Sequence, residues 1–250
     1  MQIDILTIFP NFFTSPLNEG LVKKAKESKL IDIKVTDIRD FTRDKHKSVD
    51  DTPFGGGAGM VMMVEPLASA LDSILSGTPA PGNGDKYSII LTSAQGSRFD
   101  QEKAKELAQR KRLIIICGHY KGVDERIKLL YNLEELSIGD YVLTGGEIPA
   151  LVIMDSVIRL IPGFIGNFQS AESDSFYEGL LGYPEYTRPA EFKGLKVPEV
   201  LLSGNHEKIR LWRRKEALKK TLEQRPEFLN NIELSKEDRK LLSEIEKEKE

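Results

Sequence analysis

Residues 112–117 read RLIIIC, with nothing polar between Leu113 and Cys117. A half-buried strand alternates, whereas an unbroken apolar run suits a strand covered on both faces, as in a parallel sheet. Working outward, residues 87–94 (YSIILTSA) form a second such run. Residues 2–9 (QIDILTIF) form a third, β-branched and apolar until Pro10. Residues 31–38 (IDIKVTDI) alternate instead, with Ile31, Ile33 and Val35 on one parity. Helical patterns lie between these runs, at about 17–29, 64–76, 100–110 and 123–132, with Asp100 a candidate N-cap for the third. Residues 147–161 (EIPALVIMDSVIRLI) are apolar nearly all round, which predicts a buried helix. Strand–helix alternation through residue 162 argues an α/β domain with a mainly parallel sheet.

The pattern then changes. Gly163, Gly166, Gly179, Gly182, Pro184, Pro189, Gly194 and Pro198 punctuate residues 163–198, which read as an irregular linker with turns. From Ser203 the pattern is helical and charged, and Ser235 with Asp238 three residues later resembles a capping box. A boundary near 162–170 follows, and no internal repeat is found.

Composition narrows the function. Among 250 residues, 36 Lys+Arg against 39 Asp+Glu give a net charge of −3. That excludes a polyanion binder acting by bulk charge and leaves room for a local basic patch. The one cysteine, Cys117, excludes an intrachain disulfide and a multi-cysteine metal site. It also fits a reducing compartment. The opening MQIDILTIFPNFF lacks a basic start and a cleavage pattern, so no secretory signal is expected. No stretch approaches the roughly 20 apolar residues of a membrane span. The expectation is a soluble, cytoplasmic protein.

Four segments hold residue types that chemistry could use. FGGGAGM (Phe54–Met60) has four glycines in five residues and lacks the ending of a phosphate-binding P-loop. It reads either as a flexible turn or as a loop that meets RNA or substrate backbone. SAQGS (Ser93–Ser97), CGHYKGVDER (Cys117–Arg126) and SIGDYVLTGGE (Ser137–Glu147) each set glycine beside small polar residues after an apolar run. Ligands of open α/β sheets bind outside the carboxyl ends of strands, so these three loops together predict one small-ligand pocket. His119 reads as a core or surface residue, because its spacing from His46 and His206 suggests no zinc site. SAESDSFYEG (Ser170–Gly179) holds Glu172 and Asp174 among hydroxyls, either a solvated loop or a source of a general base. In HEKIRLWRRKEALKKT (His206–Thr221), Lys208–Lys220 contains seven basic residues and one acid. At helical spacing, Leu211, Leu218 and Leu222 share a stripe, while Arg210, Arg213, Arg214 and Lys220 fall on another arc, suited to phosphates. Ser203 or Asn205 would cap that helix.

VDDTPFGGGAGM, CGHYKGVDER, SIGDYVLTGGE, DSVIRLIPG, DSFYEGLLGYPEYTRP and VPEVLLSGNHEKIRLWR follow in order from Val49 to Arg213, within a resemblance that covers about residues 1–230. The chain resembles the bacterial tRNA (guanine-N1)-methyltransferases, the TrmD family of knotted SPOUT methyltransferases. That resemblance implies transfer of a methyl group from S-adenosylmethionine to N1 of the tRNA guanine 3′ of the anticodon, position 37, which maintains the reading frame. It implies residues 1–162 as an α/β domain whose C-terminal part threads a deep trefoil knot. It implies residues 163–187 as a linker carrying the catalytic carboxylate, and 188–250 as a small all-helical tRNA-binding domain. It implies a homodimer with each active site at the interface. The donor pocket carried over by motif is Ser93, Ala94, Gly118, Tyr120, Ser137, Ile138, Gly139, Asp140, Tyr141, Val142, Leu143, Gly145, Gly146 and Pro149. Asp174 matches the general base, supplied from the partner subunit, and Arg159 the catalytic arginine near guanine O6. A Mg²⁺ requirement is also implied, with no residue assigned to the metal. The sequence departs from the family pattern at Lys121, where an acid is usual, and at Ala94 and Ala58, where proline is usual.

Overall fold

Five apolar or amphipathic segments assemble into one parallel sheet. In chain order the first part of the molecule runs β1 (Gln2–Thr7), α1 (Gly20–Glu27), β2 (Asp32–Asp37), β3 (Asp50–Asp51), β4 (Val61–Met62), α2 (Val64–Leu75), β5 (Tyr87–Arg98), α3 (Gln101–Ala108), β6 (Arg112–Cys117), α4 (Arg126–Leu130), β7 (Leu133–Ser137) and α5 (Glu147–Ile158). The computed structural model describes residues 1–76, 87–166 and 174–248, and the chain divides into two units, Met1–Gly166 and Asn167–Glu250. The sheet order is β2-β1-β6-β5-β7, and every pairing in it is parallel. β6 is central, and Leu113 to Cys117 are wholly buried, as the unbroken apolar run requires. β2 is an edge, which is why its sequence alternates. Asp4, 1% exposed on β1, accepts from Arg112 Nε of β6 at 2.7 Å, so the buried carboxylate is paired. The Cys117 thiol is pushed well up by burial and by the nearby Glu147 carboxylate, so it is no nucleophile.

The helices form where the caps and apolar spacing direct. Asp100 accepts from Lys103 N at 2.9 Å, and α3 buries Ala104 and Leu107. The structure departs from expectation on three points in this unit. β7 carries the sequence LEELS, which reads poorly as a strand, yet it forms the other edge of the sheet. There Glu134 pairs with Lys103 and Glu135 with Lys128, each at 2.7 Å, so its acids are neutralised at the rim. β5 runs past the expected end to Arg98, with a register shift between Thr92 and Ser97. Helix α5 is not buried all round: Ile148 and Val152 remain 45% and 40% exposed.

The second unit has its own core of Leu180, Ala217, Leu218, Leu241 and Ile245, with Tyr183 and Leu222 packed against it. Its elements are the hairpin β8 (Glu191–Phe192) and β9 (Leu195–Lys196), then α6 (Glu199–Leu202), α7 (His206–Gln224) and α8 (Lys236–Lys247). The hairpin lies within residues 163–198, read from their glycines and prolines as a stretch with turns, and it departs from the all-helical domain that the resemblance implied for 188–250. Its turn holds Lys193 and Gly194 at positive φ, where glycine is tolerated without strain. Leu180 and Leu181, in the stretch read as linker, are buried in this unit, and Leu181 N donates to Thr221 Oγ1 at 2.9 Å. Asn205 caps α7 through Lys208 N, and Ser235 with Asp238 completes the capping box of α8.

Candidate active site

Ser93–Ser97, the stretch of β5 at its register shift, and the loops after β6 and β7 lie on three adjacent strands, so their common edge is the carboxyl edge of the sheet. Thr92, 4% exposed, ties two of them: its hydroxyl donates to Ile116 O at 3.1 Å and accepts from Gly118 N at 3.1 Å. Gly146 N donates to Gly118 O at 2.8 Å, and His119 bridges Gly145, which lays the third loop on the second. Ser137 Oγ donates to Gly139 O at 2.9 Å and accepts from Gly139 N at 3.2 Å, tightening the turn out of β7. At the start of α5, buried Glu147 accepts from Thr7 Oγ1 at 2.8 Å.

Between these loops lies a cavity of about 500 Å³. It is lined by Ser93, Ala94, Gly118, Tyr120, Ser137, Ile138, Gly139, Tyr141, Val142, Leu143, Gly145, Gly146 and Pro149. Asp140, grouped with them from the sequence, is exposed and does not line it. Glycine here is a steric requirement. A Cβ on Gly146 would lie 2.0 Å from Thr92 Oγ1 and 2.6 Å from Gly118 N, and one on Gly118 would lie 2.7 Å from Thr92 O. Main-chain groups therefore form much of the wall, with Ile138, Leu143 and Pro149 adding apolar surface. A cavity of this size, with apolar walls and convergent backbone polar groups, suits a nucleoside-sized ligand. Among the described residues no group of three His, Cys, Asp or Glu comes together to hold a metal ion.

The glycine-rich loop is strapped to this cavity. Lys121 N donates to Met60 O, Met62 N to Gly122 O, and Asp124 N to Met62 O, each at 3.0 Å. Gly55, Gly56, Gly57 and Gly59 all adopt positive φ, and Phe54 at the tip is fully exposed. These bonds place the loop beside residues 120–123, which line the cavity. Tyr120 itself sits at φ 59°, and its hydroxyl pKa is raised by burial and by a hydrogen bond to Asp50. The cavity also takes in Thr92, Lys128 and Glu135, which lie outside the three predicted loops, and His119, which was read as a core or surface residue. Thr92 carried a signal, a hydroxyl inside an apolar run. Lys128 and Glu135 became neighbours of the cavity only through the fold.

A family model described as tRNA (Guanine-1)-methyltransferase TrmD matches residues 1–231. The chain belongs to the TrmD family. It is 54% identical over 245 residues to a protein of Moorella thermoacetica, covering 98% of this chain and 96% of that one. It is 52% identical over 246 residues to one of Desulforamulus reducens, covering 98% and 95%. A protein of Geobacillus kaustophilus is 50% identical over 250 residues, the full length of both. All three relatives are named tRNA (guanine-N(1)-)-methyltransferase.

The remaining residues singled out in this TrmD-family chain are distributed as follows. Arg159 is the half-buried C-cap of α5. Asp174 is exposed in the second unit, at the head of a turn in which Tyr177 N donates to Asp174 O at 3.4 Å. Glu172 lies outside the described residues. The basic arc of α7 proves to be of two kinds. Arg210 is held by Glu207 and Glu237, with its shortest contacts to both at 2.8 Å. Arg214 grips buried Asp238 at 2.7 Å and also reaches Glu178 at 3.1 Å. Both are thus engaged by carboxylates. Arg213 is exposed and lies 4.9 Å over the Tyr183 ring, and Lys220 is exposed on the same arc.

Proposed function

We propose that this chain transfers the methyl group of S-adenosylmethionine to N1 of the guanine at tRNA position 37, 3′ of the anticodon, in the cytoplasm, and so maintains the reading frame. The observation that carries this reading is the glycine-walled cavity at the carboxyl edge of the sheet, in a chain that belongs to the TrmD family. The donor brings an activated methyl group on its sulfonium. The protein's part is to bind, orient and manage a proton. The main-chain groups of the loops after β5, β6 and β7 hold the donor by shape. Guanine N1 carries a proton, so its lone pair is unavailable until that proton leaves. The Asp174 carboxylate accepts it. The Arg159 guanidinium faces O6 and stabilises the negative charge that develops there.

In this reading residues up to 162 form the methyltransferase domain, and the helical part from 188 grips tRNA through Arg213 and Lys220. The segment from Ser137 into α5 is the threaded part of a deep trefoil knot, one of the few exceptions to unknotted folding. The bonds that lay this segment on the loop after β6 support that reading. The working molecule is a homodimer in which Asp174 serves the partner's pocket. The exposed Ile148 and Val152 on an otherwise apolar helix support such an interface. The test is transfer of a labelled methyl group to transcripts carrying guanine 37, with and without Mg²⁺, followed by nucleoside mapping. 1-Methylguanosine at position 37, absent from transcripts with adenosine there, is the expected result. Binding of tRNA without transfer would overturn the enzyme reading in favour of an RNA-binding protein.

A further inference from the structure

The charges on the cavity wall do not balance locally. Four charged side chains line it: Lys121, Glu125, Lys128 and Glu135. Three of them neutralise one another in part, because Lys128 Nζ lies 2.8 Å from Glu125 and 2.7 Å from Glu135. That cluster keeps one excess negative charge. Lys121 stands apart from it, and no ion pair engages its ammonium among the described residues. Its backbone N–H donates to Met60 O, and its Cγ and Cδ lie 2.9 and 3.0 Å from where a Gly59 Cβ would be. The glycine thus makes room for the methylenes beside a cavity that Lys121 lines.

S-Adenosylmethionine presents a complementary pattern at its amino-acid end, with two cationic groups and one carboxylate. We infer that Lys121 binds the α-carboxylate of the methyl donor, while the acidic excess at Glu125 and Glu135 faces its cationic groups. This assignment rests on the methyl-donor reading above and deepens it. It concerns how the donor's amino-acid end is oriented and leaves the transfer chemistry to other residues.

The test compares two ligands that differ only in the carboxylate: S-adenosylmethionine and its decarboxylated form. Calorimetric titration of wild type, Lys121→Met and Lys121→Arg supplies the readout, with no turnover needed. Lys121→Met keeps the apolar stem and should weaken S-adenosylmethionine by about fivefold, the upper range for an exposed pair. It should leave the decarboxylated ligand unchanged or slightly tighter. Lys121→Arg should restore most of the loss. Equal losses for both ligands, or none for either, would overturn the assignment. So would an unchanged donor affinity with a weaker, less salt-dependent affinity for tRNA, because Lys121 would then be a phosphate contact. If wild type binds neither ligand, the methyl-donor reading falls first and this inference with it.

Discussion

Asp238 allows the role of Arg214 to be measured. The Arg214 guanidinium holds the Asp238 carboxyl at a pKa of about 2, against an ordinary 3.8, with Ser235 assisting and burial opposing. A carboxyl that is more acidic folded than unfolded stabilises the fold fully above its unfolded pKa. That stability drains as pH falls through the folded value. The interval from 3.8 down to about 2, at about 1.4 kcal/mol per pH unit, is worth about 2 kcal/mol. Both partners are shielded, with side chains 27% and 4% exposed, so solvent screens little of it. The chain has a single tryptophan, Trp212, on α7. Its fluorescence therefore reads the second unit alone. Urea titrations followed at Trp212 should show wild type losing about 2 kcal/mol more than Asp238→Asn between pH 5 and pH 2. At pH 7 the variant should already be less stable, because Arg214 loses its charged partner. Parallel acid slopes in the two proteins would refute the reasoning. So would an Arg214→Met variant of wild-type stability that has lost tRNA affinity, since Arg214 would then be an RNA contact.

Three other outcomes follow from the same geometry. Asp174→Asn should nearly abolish methyl transfer while leaving donor affinity by calorimetry at wild type, because an amide keeps the shape and cannot accept the N1 proton. Joint reversal of Arg213 and Lys220 to glutamate should weaken tRNA binding and flatten its log–log salt dependence by about 0.7 to 0.9 per lost phosphate contact, with donor affinity unmoved. Co-expression of Asp174→Asn with Gly118→Trp, whose Cβ alone would meet Thr92 O, should restore activity in purified mixed dimers. Inactive mixed dimers would place the base in its own subunit.

The sheet was legible because Ile3–Leu6 of β1, Ile89–Leu91 of β5 and Leu113–Cys117 of β6 are buried and, apart from the paired Asp4, apolar, a pattern that no helix period mimics over so short a run. β7 was not, because an edge strand tolerates Glu134 and Glu135 once Lys103 and Lys128 stand opposite, and those partners come from elsewhere in the chain. The pocket loops could be found from glycine beside strand ends, whereas the motif resemblance supplied the individual residues. Asp140 was swept in by adjacency to Gly139, although it is exposed and does not line the cavity. The basic arc of α7 followed correctly from helical spacing. The i,i+3 spacing of Glu207 and Arg210 is local, whereas Glu237 on Arg210 and Asp238 on Arg214 come from more than twenty residues further on, where no local pattern reaches.

The glycine wall of the cavity also bears on how the site can escape a competitor. An inhibitor that occupies this space by contacting main-chain N–H and C=O groups touches atoms that no codon change removes. A side chain introduced at Gly146 to evict it would collide with Thr92 Oγ1 and Gly118 N before reaching the inhibitor. One at Gly118 would strike Thr92 O. Each such change deforms the cradle for the natural ligand as well. Resistance is therefore channelled to the few side chains at the rim, Lys121 and Tyr141 among them, where an inhibitor is best kept from reaching.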